Sequence, residues 1–174
     1  MQRWRVPLGF LCAALFFFFA RPSTWTLVIG GLLALPGLGL RAWASGHLKK
    51  NESLATTGPY AYTRNPLYLG SFIMGLGFTI AAGQPFLILI FVIMILGIYL
   101  PVMRVESQTL SELFGRKYER YASEVPLFLP RFSPYRQNEV EFDRALYLRY
   151  REYRAAVGIV IAWALLAAKA IYFK

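Results

Sequence analysis

The sequence predicts an all-α, polytopic membrane helical bundle of about five transmembrane helices with a cytoplasmic subdomain. The chain is 57% hydrophobic with a mean hydropathy of +0.44 over 174 residues, more apolar surface than one soluble core of that size hides. Its apolar residues also fall in blocks of roughly bilayer length: Val6 to Ala20, Trp25 to Ala44, Leu67 to Ala82, Pro85 to Met103 and Ala155 to Phe173. Backbone polar groups in hydrocarbon must pair within their own segment, so each block is expected as a helix. A single membrane domain covers 1–174, with polar segments at 45–66 and 104–154.

The first block follows Arg3 and Arg5, the pattern of a secretory leader. Phe18 stands where a cleavage site wants a small residue, and Arg21-Pro22 follows, so a retained span is expected. The second block carries Gly30, Gly31, Pro36, Gly37 and Gly39, which predicts close helix approach and a kink at Pro36. Only Gly83-Gln84 separates the third and fourth blocks, which predicts a tight helical hairpin. Before the fifth, Asn138 and Glu141 read as the cap and third position of a helix running unbroken into the span. This tail reads as structural or as an oligomer contact; the oligomeric state is not fixed by the sequence.

Charge sets the expected orientation. The net charge is +10, and sixteen of the nineteen Lys and Arg lie on one side if the N-terminus is inside; only Arg21, Lys169 and Lys174 lie on the other. The positive-inside rule therefore predicts a cytoplasmic N-terminus, an opposite C-terminus, and both long polar segments in the cytoplasm. The partner of this charge is expected to be anionic headgroups rather than nucleic acid, for which no recognition motif is present. Cys12 is the only cysteine and His47 the only histidine, so no disulfide within the chain and no metal site are expected.

The first polar segment turns at Gly58-Pro59 and breaks again at Asn65-Pro66. Pro66 suits the first turn of the next helix and Asn65 its N-cap. Tyr60, Tyr62 and Tyr68 suit an aromatic belt, and Arg64, at a helix N-terminus, suits an anion. In the second segment Leu110, Leu113, Phe114, Tyr118 and Tyr121 recur at helical spacing, predicting an amphipathic helix lying on the membrane or continuing the fourth span. Gly115 inside it suggests close approach of a neighbour or ligand. Glu106 should emerge near the membrane boundary, with Arg104 as its possible partner. Val125 to Phe132 is a proline-stiffened apolar strip able to fold back over a pocket.

Together these segments resemble the isoprenylcysteine carboxyl methyltransferase and phospholipid methyltransferase superfamily of membrane enzymes. The likeness runs from about Arg41 to Phe132. It rests on Gly58-Pro59-Tyr60, Arg64-Asn65-Pro66-Leu67-Tyr68-Leu69-Gly70, Glu106 with Leu110, Phe114-Gly115, Tyr118, Tyr121, and Val125-Pro126 through Pro130. Two positions depart from that pattern: Asn65 stands for the family histidine, and Ser107 for a second glutamate.

The resemblance implies an enzyme that uses S-adenosylmethionine and no metal to methylate a lipophilic, membrane-borne acceptor at the cytoplasmic face. It implies cofactor binding by His47, Tyr60, Arg64, Asn65, Pro66, Tyr68, Leu69, Gly70, Leu127 and Phe128, with Arg104 and Glu106 as catalytic residues facing the acceptor. A carboxylate acceptor would use Arg104 for orientation, and an amine would use Glu106 as base or charge partner. Loss of the second carboxylate favours the carboxylate acceptor. Three alternatives remain open: phospholipid headgroup N-methylation, sterol-type reduction with NADPH, and a non-enzymatic scaffold or transporter.

Overall fold

The computed structural model describes residues 14–49, 52–135 and 141–172, and among these every regular element is a helix. The order is α1 (Thr24–Ser45), a short 3-10 turn (Gly58–Ala61), α2 (Pro66–Ala81), α3 (Pro85–Met94), a π-helical turn (Ile95–Tyr99), α4 (Leu100–Phe114), α5 (Arg116–Glu124), α6 (Arg144–Arg149) and α7 (Tyr153–Tyr172). Three helical stretches are long and apolar enough to cross a membrane: Thr24–Ser45, Pro85–Phe114 and Tyr153–Tyr172. The molecule is a multi-pass membrane helical bundle. Pro66–Ala81 is apolar but has only 16 residues. Of the first predicted span, residues 14–19 are helical and Val6 to Ala13 lie outside the described residues.

α1 and α2 form the centre of the bundle, and small residues decide how near they come. A Cβ placed on Gly30 would stand 2.4 Å from the Gly77 carbonyl oxygen, and one on Gly37 would stand 2.6 Å from that of Gly70. Ala34, fully buried, sits between these two crossings against Gly77. Such approach lets backbones make the van der Waals contact that holds helices together in lipid. The close approach expected from Gly30 and Gly37 is therefore present. Gly31 instead faces Trp163 of α7, and Gly39 faces open space. α1 passes through Pro36 without a break, capped at its start by Ser23, whose hydroxyl accepts from the Thr26 N–H.

The hairpin between α2 and α3 turns at Ala82-Gly83-Gln84. Gly83 takes φ +67°, a left-handed conformation that side chains disfavour. Phe72 of α2 stacks on Phe91 of α3, and Gly75 leaves room for the same ring. The π-turn joins α3 to α4 in one 30-residue helix, so the second polar segment continues the fourth span.

Two predicted continuities fail, each at a residue in left-handed backbone. Gly115 takes φ +49° and ends α4, so Tyr118 and Tyr121 belong to α5, which folds back on Leu110 and Phe114. Its Cβ would meet nothing within 4 Å, so glycine serves the backbone there and not the close approach expected. Leu113 leaves the apolar face and is exposed. Likewise the last helix does not run unbroken: α6 begins at Arg144, capped by Asp143, and Arg151 at φ 54° separates it from α7. Asn138, the expected cap, lies outside the described residues.

Candidate active site

The loop end of the bundle has a small core of its own. Leu54, Tyr118, Tyr121 and Val125 are buried together, with Leu110, Phe114 and Tyr135 packed around them. The proline-stiffened strip closes over the first loop through backbone bonds: Arg64 N–H to Pro126 O at 2.9 Å, Arg131 N–H to Tyr62 O at 2.9 Å, and Tyr135 N–H to Ala61 O at 2.9 Å. Side chains add to the seam. The Thr63 hydroxyl donates to Phe128 O at 2.9 Å, and the Asn65 amide donates to Leu127 O at 2.9 Å. The strip thus folds back as the sequence suggested, and the carbonyl groups of Leu127 and Phe128 are what tie it down. Phe128 also sets its ring edge-on against Phe72.

Arg64 stands at the meeting point of loop, α4 and α5. Its guanidinium donates to the Tyr118 hydroxyl at 3.2 Å and to Ser107 Oγ at 3.4 Å, and those two hydroxyls form a short hydrogen bond with each other. Its Nε is buried and has no hydrogen-bond partner. Among the described residues no carboxylate forms an ion pair with it. A cation surrounded by neutral hydroxyls, with a buried donor left over, is set up to take an anionic group.

The phenols nearby are held neutral. Burial raises the Tyr60 hydroxyl well above its ordinary range, and the negative charges of Glu106 and Glu152 act in the same direction. Burial raises Tyr121 too, against the opposing pull of the Arg64 charge. Tyr121 donates to the Tyr60 carbonyl at 2.7 Å, which fixes the 3-10 turn against α5. Tyr121 works as a donor and both phenols as buried packing surfaces.

The remaining expected residues fall in three places. Pro66 occupies the first position of α2 as expected, but the Asn65 side chain makes no cap, because its amide is turned to Leu127. Tyr68 sets its ring edge-on to Tyr99 beside the π-turn. Leu69 and Gly70 are buried, and Gly70 faces α1, where its Cβ would meet Arg41 and the Gly37 carbonyl. His47 is buried at the end of α1 between Trp43, Phe142 and the Gly58 turn, with Nδ1 bonded to Trp43 O at 2.9 Å. Arg104 and Glu106 stand exposed on α4, and no ion pair joins them. Residues two apart on a helix point to different faces, which is why the expected pair does not form.

Sequence reasoning missed one polar centre. Arg41, at the loop end of α1, binds Glu152 at 2.8 and 2.9 Å, and also donates to Ser71 Oγ at 2.5 Å and Leu67 O at 3.4 Å. The signal was available: Arg41 is a charge at the edge of an apolar block, and Glu152 is a lone acid among arginines.

The sequence profile of the phospholipid methyltransferase family matches residues 4–117. The chain belongs to that family. It is 35% identical over 144 residues to the cobalt-zinc-cadmium resistance protein CzcN of Cupriavidus metallidurans, an alignment covering 76% of this chain and 64% of that protein. It is 35% identical over 81 residues to the protein-S-isoprenylcysteine O-methyltransferase of Schizosaccharomyces pombe, covering 47% and 34%. The human protein of that name is 29% identical over 119 residues, covering 62% and 42%. The chain thus spans less than two thirds of the length of these relatives. No solved structure gives a significant match.

Proposed function

We propose that the protein transfers a methyl group from S-adenosylmethionine to a lipophilic, membrane-borne acceptor at the cytoplasmic membrane face. One observation carries the reading: Arg64 is a cation with only neutral partners and a buried Nε without a partner, at the junction of three motif-bearing segments. S-adenosylmethionine, when bound, supplies a methyl group on a positively charged sulfur and an amino-acid carboxylate. Arg64 would hold that carboxylate, with Ser107 and Tyr118 fixing the guanidinium. Tyr60, Tyr68, Leu127 and Phe128 would form a wall against the cofactor, and the seam between strip and loop would exclude water from it. Asn65 and His47 support that wall through Leu127 and Gly58.

The acceptor side is α4. Arg104 is exposed and makes no ion pair among the described residues, so it is available to orient a carboxylate such as that of an isoprenylcysteine. A headgroup amine is the second reading. It is favoured by Glu106, an exposed carboxylate whose charge reaches the Tyr60 phenol and which could take the amine's proton. One relative is named for resistance to cobalt, zinc and cadmium. That name states what the relative protects against, and the chemistry proposed rests on Arg64 instead.

The test is to incubate purified protein with labelled S-adenosylmethionine and a membrane lipid extract and to identify the labelled product. A labelled ester supports the carboxylate acceptor; a labelled amine supports the headgroup. Arg64→Ala should weaken cofactor binding about a hundredfold, the loss of a charge-assisted pair. Arg104→Ala or Glu106→Gln should lower turnover according to which acceptor is used. Binding of NADPH in place of S-adenosylmethionine, or full activity in all three variants, would overturn the assignment.

A further inference from the structure

The Arg41–Glu152 pair lies apart from the Arg64 cluster, and Glu152 lies beyond residue 117, where the family profile ends. The two side chains are largely removed from solvent, 22% and 14% accessible, and meet through both carboxylate oxygens. Taking two charges out of water costs several kcal/mol per ion before their attraction is counted, so such a pair is better evidence of fixed position than of stability. The bundle does not need it at this point. Gly37 and Gly70 already bring α1 and α2 into backbone contact one turn away.

What the pair fixes is specific. Arg41 donates to the Leu67 carbonyl and to Ser71 Oγ, and Ser71 itself donates to Leu67 O at 2.9 Å. Both partners lie in the opening turns of α2, which carry Tyr68 and begin two residues after Arg64. Glu152 reaches Arg41 from the break between α6 and α7, where Arg151 sits at φ 54°. A non-glycine residue there is strained, and the surrounding contacts must offset that strain. The same carboxylate acts on the Tyr60 phenol.

We propose that Arg41 and Glu152 form a positioning latch through which the C-terminal helix α7 sets the orientation of the first turns of α2. This rests on the cofactor reading above for what those turns bind. Neither residue touches the reacting atoms, so they are positioning residues.

The experiment compares wild type, Glu152→Gln and the exchanged pair Arg41→Glu/Glu152→Arg as full chains in detergent. Two quantities are read: amide hydrogen exchange over residues 64–72, which needs no ligand, and the Kd for labelled S-adenosylmethionine. Glu152→Gln should speed exchange over 66–71 and raise Kd, each by about tenfold, the loss of a buried charge partner. Exchange over 30–40 should stay as in wild type, and the exchanged pair should restore neither quantity, because a carboxylate at position 41 cannot donate to Leu67 O. Exchange and Kd both within about twofold of wild type would overturn the latch, as would faster exchange with an unchanged Kd. If Glu152→Gln yields no folded protein, Glu152→Asp is read the same way, with about threefold changes expected and none overturning the proposal. A wild type that does not bind S-adenosylmethionine, alongside faster exchange in Glu152→Gln, would overturn the cofactor reading and leave the latch standing.

Discussion

Where α1 crosses α2, backbone meets backbone at Gly30 and Gly77 and again at Gly37 and Gly70, whereas α7 reaches its neighbours through side chains. Trp163 lies over Gly31 and against Phe78, Glu152 holds Arg41, and Lys169 donates to the carbonyl groups of Phe17 and Phe18 at 2.5 and 2.8 Å. The first contact has no slack, because nothing at those glycines can change rotamer. The second is made of long side chains that can re-form after a small displacement. The pair that must not move carries the Arg64 loop and the Tyr68 turn, and the helix that can adjust is attached to that pair by a charge contact.

The comparison can be broken most severely at its rigid side. Gly30→Leu or Gly77→Leu would drive a side chain into a carbonyl oxygen 2.4 or 2.5 Å from the new Cβ, and no monodisperse protein should be recovered after detergent extraction. On the adjustable side, Trp163→Ala should leave the fold intact and cost about 1–3 kcal/mol, read as a lower melting temperature with unchanged cofactor affinity. Gly115→Ala would place a side chain on left-handed backbone and should cost about 1–2 kcal/mol, mostly at α5. Gly39→Ala, whose Cβ meets nothing, should stay within about 0.5 kcal/mol of wild type. If Gly39→Ala destabilised as much as Gly30→Leu, the account of the rigid crossing would fail.

Alkaline pH probes the loop end separately. Tyr60 and Tyr121 bind their protons more tightly when folded, so their contribution is complete below the ordinary phenol value of about 10. It is lost as pH rises above that. Melting temperature should therefore fall beyond about pH 10, with the phenolate absorbance of Tyr60 and Tyr121 appearing only on unfolding. Tyr121→Phe, which also loses the bond to Tyr60 O, should cost about 1 kcal/mol and flatten the alkaline fall.

Much of this was legible in the sequence, and the reason is the bilayer. Hydrophobic blocks mark spans, and glycines at 30 and 37 mark a close crossing, because lipid leaves few other ways to bury a helix. The fold-back of Val125 to Phe132 was legible too, since prolines forbid a helix there. Sequence pattern failed where one residue's φ decides the chain's direction. Gly115 and Arg151 sit inside stretches whose periodicity carries straight through them, and periodicity cannot report a single left-handed residue. The Arg41–Glu152 contact was not legible for a different reason: 111 positions separate its partners, and nothing local pairs them. Around Arg64 the partners were not legible, because Ser107 lies 43 positions away and Tyr118 meets it only after the chain reverses at Gly115.

The hairpin has unequal arms. With a rise of about 1.5 Å per residue, the 16-residue α2 is about 24 Å long and the 30-residue helix beside it about 45 Å, against about 30 Å of hydrocarbon. Measured from the same turn at Gly83, the shorter arm falls short of that thickness and the longer one exceeds it. The result is a step, with the loop of Arg64 as its tread and Ser107 and Tyr118 as its riser. A molecule lying in the membrane with only its polar tip raised would meet that tread without leaving the bilayer, whereas a water-borne one would have to descend to it. Inserting four residues into α2, about one turn, would lift the tread by about 6 Å, and on the proposed reading it should select against acceptors with short polar heads.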